Sequence, residues 1–130
     1  MVRVKICGIT NWADARAACD TGASALGFIF YARSPRAIAP AEAWRIIRRL
    51  PPFVAPVGVF VNWPPRAVLP LAAALRLSAV QLHGDEPPRD VEACARQIFV
   101  IKAFRVGPGF QAAQFPRYAV ASAFLLDAAK

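Results

Sequence analysis

Cys7, Arg36, Asn62, His83, Arg105 and Asp127 are spread along the chain, each where an apolar run meets polar residues. A thiol, an imidazole and a carboxylate are proton-handling groups, and a guanidinium offers a planar fork for carboxylates or phosphates. Such a set suits proton transfer on an anionic small molecule, provided the fold gathers it. Position alone favours packing for Cys7, since a small buried apolar side chain is the commoner fate of a free cysteine. Nor does position decide for the others, because polar residues belong wherever strands emerge into water.

The elements that must do the gathering are legible. Val2, Val4 and Ile6 alternate with Arg3, Lys5 and Cys7, the period of a strand. Gly8 and Thr10 break the run, and Asn11 is placed to cap a helix over 12–22 that Gly22 ends. Residues 25–31 (ALGFIFY) read as a strand buried on both faces, leading into the loop that holds Arg36. Pro40 opens the next helix, with Ala43, Ile47 and Leu50 on one face, and Pro51-Pro52 stops it.

The unit then recurs. Strands are predicted at 57–61, 79–82, 99–104 and 121–126. Helices are predicted after Pro64-Pro65, with Val68, Leu71, Ala72 and Leu75 inward, and over 87–97, with Val91, Cys94 and Ala95 inward. The segment 108–118, with Gly107 just ahead of it and Pro108, Gly109 and Pro116 within it, is expected to be short or irregular. Strand and helix signals alternating in this way predict right-handed βαβ crossovers and a parallel sheet. The strand ends then share one face, which is where the six candidates fall. An open doubly wound sheet and part of a (βα)8 barrel both fit, although neither GxGxxG nor GxxxxGK[ST] follows the first strand.

Composition narrows the partners. At 130 residues, 57% hydrophobic and 18% charged, the chain suits one globular domain over 1–130. No apolar stretch is long enough to cross a membrane, and no signal-peptide layout precedes the first strand. Three widely spaced cysteines make neither a disulfide framework nor a metal pair, so a cytoplasmic setting is expected. A net charge of +8 favours anionic partners, but the basic residues are scattered and no nucleic-acid-binding motif accompanies them. Cys19 and Cys94 read as helix packing.

KICGIT (5–10), GFIFY with SPR (27–31 and 34–36), PVGVFVN (56–62), AVQLHGDE (79–86), VIKAF (100–104) and FLLD (124–127) resemble the phosphoribosylanthranilate isomerase family of tryptophan biosynthesis, in register from end to end. The resemblance implies a (βα)8 barrel of the TIM type. It also implies an Amadori rearrangement of N-(5-phosphoribosyl)anthranilate, using no cofactor and no metal. By the same resemblance Cys7 matches the general base and Asp127 the general acid. Arg36 would pair with the anthranilate carboxylate, and His83 is placed with it as substrate-binding. A thiolate serves as base if cations lower its pKa, for which Lys5 and His83 are at hand, and an acid needs a raised one. Indole-glycerol-phosphate synthase relatives, which use lysine and glutamate at strand ends, fit Cys7 and Asp127 less well.

Only about the first six strands of the barrel have signals. The glycine-rich loops that hold phosphate in such barrels have no counterpart. The expectation is therefore an incomplete barrel with open edges on the first and sixth strands, impaired alone, and dependent on self-association or a complementing C-terminal fragment. A non-catalytic piece associating through those edges is the alternative.

Overall fold

The computed structural model describes residues 1–128. Six strands alternate with helices: β1 (Lys5–Cys7), α1 (Trp12–Asp20), β2 (Ala25–Ile29), α2 (Pro40–Ile47), β3 (Ala55–Phe60), α3 (Pro65–Ala74), β4 (Ala79–Leu82), α4 (Pro88–Ala95), β5 (Phe99–Val106), a 3-10 helix (Ala112–Tyr118) and β6 (Ala123–Ala128). The helix starts follow local chemistry. Asn11 is extended and its side chain accepts from the Asp14 amide at 2.8 Å, while α2, α3 and α4 each carry proline in the first turn, where its missing N–H costs nothing. Past α1, Gly22 takes φ +93°, the left-handed geometry that closes a helix.

All strand pairs are parallel, in the spatial order β1-β2-β3-β4-β5-β6. A doubly wound sheet reverses its strand order at a switch point. This sheet does not, so that alternative is excluded and the arrangement is that of consecutive barrel strands.

Register separates two faces. Leu26, Phe28, Phe60, Val80, Leu82, Val100 and Phe104 face the helices and pack on Ala15, Ala43, Ile46, Val68 and Val91 in one core. Each large apolar side chain buried this way stabilises by about 1.5–3 kcal/mol. The other, inner face carries Cys7, Ile29, Val59, Gln81, Ile101, Ala103, Arg105 and Asp127. The core thins at both ends of the sheet: on the helix face Ile6 is 40% and Leu126 61% exposed.

The boundaries of three strands depart from the sequence reading. β1 begins at Lys5 rather than Val2, because before it only the Val4 carbonyl is engaged, accepting from Ser24 and Ala25. β5 continues to Val106, so Arg105 lies within the strand. Within 108–118 only Ala112–Tyr118 winds, as a 3-10 helix, the short irregular element expected there, since Pro116 removes a donor from any α-helical ladder. β6 begins two residues late and runs on to Ala128, so Asp127, expected where the strand ends, sits inside it opposite Arg105. No helix among the described residues is long and apolar enough to cross a membrane.

Candidate functional site at the carboxyl ends of the strands

The most heavily bonded part of the rim is the loop after β4. Lys102 occurs in the middle of β5 on the helix face, between Val100 and Phe104, and is 2% exposed. An ammonium there must be paired. Its Nζ donates to Glu86 Oε1 at 2.8 Å, to the Gly84 carbonyl at 2.7 Å and to the Leu82 carbonyl at 3.4 Å. The Glu86 carboxylate, also buried, accepts in addition from the Gly84 and Asn62 amides at 3.0 and 2.9 Å. Tyr118 donates its phenol hydrogen to the Glu86 carbonyl at 2.7 Å. Burial pushes the Tyr118 phenol up, with Arg117 opposing and Glu86 and Asp85 adding to the rise.

Asn62 completes the clamp. It adopts φ 58°, and its side-chain oxygen accepts from the Asp85 amide at 2.7 Å. Gly84 is required beside it, because a Cβ there would collide with the Asn62 amide. Asn62 thus holds the loop.

His83 leaves this loop toward the inner face. Its Nδ1 lies 2.8 Å from Gln81 Nε2 and its Nε2 lies 3.1 Å from Asp127 Oδ2. Both ring nitrogens are engaged, and neither contact is with Cys7. Gln81, His83 and Asp127 therefore form a chain from the buried middle of β4 to the half-exposed carboxylate on β6.

Cys7 ends β1 on the same face, opposite Gly27. A Cβ on Gly27 would come within 2.6 Å of the Cys7 Sγ, so the missing side chain makes room for the thiol. Arg36 donates from Nη1 to the Cys7 carbonyl at 2.8 Å and lies over Gly8, where a Cβ would strike the guanidinium. Among the described residues no carboxylate lies within ion-pair distance of Arg36.

The predicted residues thus fall into two groups rather than one cluster. Cys7 and Arg36 make one pair at β1; His83 and Asp127 make another between β4 and β6. A cavity of about 570 Å³, within the range of small-molecule sites, opens over β3–β5, with Asn62, His83, Asp85 and Arg105 in its wall. Cys7, Arg36 and Asp127 lie outside its lining. Gln81, Glu86 and Lys102 were not singled out from sequence. A lysine inside the apolar run FVIKAF was the available signal.

The other two cysteines pack as expected. Burial pushes the Cys94 thiol up to about 11, with Asp90 and Glu86 adding to the rise, and burial followed by Asp20 raises Cys19. Among the described residues no group of three or more His, Cys, Asp or Glu is placed to hold a metal.

The family model for N-(5'-phosphoribosyl)anthranilate isomerase matches residues 4–130. An N-(5'-phosphoribosyl)anthranilate isomerase of Moorella thermoacetica is 49% identical over 128 residues, which is 98% of this chain and 56% of that protein. The crystal structure of phosphoribosyl anthranilate isomerase from Thermotoga maritima superposes with a TM-score of 0.94 at 47% identity, covering 100% of this chain and 63% of the other. A second isomerase structure, in complex with reduced 1-(o-carboxyphenylamino)-1-deoxyribulose 5-phosphate, superposes with a TM-score of 0.93 at 47% identity, covering 100% and 66%. The chain spans less than two thirds of the length of the first two. These matches, to relatives named as isomerases, give no support to the expectation of an impaired chain with a complementing fragment or to the alternative of a non-catalytic piece.

Proposed function

Because the chain belongs to the N-(5'-phosphoribosyl)anthranilate isomerase family, we propose that its inner rim carries the Amadori rearrangement of that aminoaldose to 1-(2-carboxyphenylamino)-1-deoxyribulose 5-phosphate. Asp127 gives a proton to the furanose ring oxygen. The C1–O bond breaks and an iminium forms. Cys7, as thiolate, removes the proton on C2, and the electron pair neutralises the iminium to an enolamine. The Cys7 thiol returns its proton to C1 and the C2 hydroxyl gives its proton to the Asp127 carboxylate, which leaves the ketone and restores both groups. C2 is oxidised and C1 reduced, so no external oxidant or reductant enters.

The observation that carries this reading is the shared face: Cys7 and Asp127 both lie on the inner side of one parallel sheet, near the carboxyl ends of their strands. The glycine opposite Cys7 leaves its sulfur uncrowded, and Asp127 is held by His83. Arg36 stands beside Cys7 with further donors for a carboxylate, and a substrate reaching from there to His83 would contact both groups.

The test is isomerisation of N-(5'-phosphoribosyl)anthranilate by the 130-residue chain and its variants. Removal of a general acid or base typically costs ~10²–10⁴ in rate, so Cys7→Ser and Asp127→Asn should each lower kcat by at least about 10²-fold with little change in KM. Wild-type turnover in either variant removes that residue from its role, and no conversion by the unaltered chain overturns the reading.

A further inference from the structure

We infer that Gln81 is a positioning residue that fixes the tautomer of His83, so that the imidazole presents an N–H to the Asp127 carboxylate. Gln81 is 2% exposed, on the inner face of β4 two residues before His83, which follows the strand. Its Nε2 meets His83 Nδ1 at 2.8 Å. An amide nitrogen donates and has no lone pair to offer, so Nδ1 must be the bare, accepting nitrogen. The single proton of the neutral ring is then on Nε2, where it points at Asp127 Oδ2 3.1 Å away.

A second observation gives Gln81 a further consequence. Its Oε1 is buried and has no hydrogen-bond partner among the described residues. A buried amide oxygen left unpaired is costly, so this orientation persists only if its other end is well bonded. In this orientation a second proton on Nδ1 would face an amide N–H₂ and find no acceptor. Gln81 thus selects which ring nitrogen of the neutral imidazole carries the hydrogen. Reversing the amide would turn Oε1 toward the ring and favour Nδ1–H, leaving Nε2 bare toward Asp127. The amide is a two-position setting of which side of the His83–Asp127 contact owns the proton.

In the proposed reaction this decides whether Asp127 meets a donor or an acceptor. The inference rests on that reaction only for its meaning; the tautomer itself is measured without turnover. His83 is the one histidine of the sequence, so every imidazole signal belongs to it. Nitrogen-15 spectra of histidine-labelled protein at neutral pH should show Nδ1 as the unprotonated type and Nε2 as the protonated type. Protonated Nδ1 in the unaltered chain would overturn the inference, and that measurement needs no variant. Gln81→Glu should bring a proton onto Nδ1 while Nε2–H stays on Asp127, because a carboxylate accepts where the amide donated. Gln81→Leu should mix the two forms, and Asp127→Ala should leave Nε2–H in place. A tautomer that survives Gln81→Leu but is lost in Asp127→Ala would assign the control to Asp127 instead. Isomerase failure with the tautomer as described would overturn the proposed function and leave Gln81 in its role.

Discussion

The centre of the rim and its two flanks are built on opposite plans. At the centre, the loop 83–86 is held by a buried ion pair, three N–H or N–H₃⁺ donors converging on the Glu86 carboxylate, and a phenol at its backbone. At the flanks, Cys7 ends a three-residue strand and Asp127 sits half-exposed in β6, tied by one contact to His83. The groups assigned to proton transfer lie where the fold is thin, and the groups that only hold lie where it is thick. His83 joins the two regions: its backbone leaves the clamp and its ring touches the flank. Stability and reactivity are thereby separable by substitution.

The sharpest way to break that separation is Lys102→Met. It leaves the Glu86 carboxylate buried without its cation, and removing one partner of a buried pair typically costs ~3–5 kcal/mol. That is a large share of the ~5–15 kcal/mol available to a small domain. Urea unfolding followed by circular dichroism should show the midpoint falling accordingly. Adding Glu86→Gln should cost less than the sum of the single changes, because the uncompensated charge is then gone. A Lys102→Met chain as stable as the unaltered one would mean the centre is no firmer than the flanks.

Alkaline pH tests the same contrast at Cys94, on α4 behind the centre. Its thiol is held near 11 against an ordinary value of 9.0, chiefly by burial. The folded chain therefore keeps this proton when the unfolded chain has lost it. The contribution to stability is full below pH 9 and is lost as the pH rises toward 11. At 1.36 kcal/mol per pK unit the loss is of the order of 2 kcal/mol. Cys94→Ala, less stable at neutral pH through the cavity it leaves, should lack this added decline. Parallel curves for the two chains between pH 9 and 11 would contradict it.

What the sequence discloses follows the same division. Strands, helices and the residues near their ends were legible because period-2 runs, proline starts and glycine stops are local signals, and Cys7, Arg36, His83 and Asp127 lie beside them. Gln81, Glu86 and Lys102 were not, because what matters about each is a partner reached across strands. Glu86 looks like a loop acid until Lys102 is brought to it by the β4–β5 register. The spread of the candidates into two pairs was hidden for the same reason. Strand-end position says that side chains share a rim and says nothing of which neighbours they choose.

The smallest effect belongs to Asp127→Asn. The side chain is 49% exposed, and its contact with His83 is of the kind worth ~0–1 kcal/mol at a surface. Asparagine keeps the shape and can still accept from the His83 N–H through its amide oxygen, so the urea midpoint should move by no more than that of an ordinary surface change, within about 0.5 kcal/mol. Yet the same substitution takes away the proton that the proposed reaction hands to the ring oxygen. Kinetics and unfolding of this one variant thus read the flank twice. A loss of turnover with an unmoved midpoint places Asp127 on the reactive side of the division, whereas a midpoint that falls as it does for Lys102→Met would make β6 part of the scaffold and the contrast between centre and flank untenable.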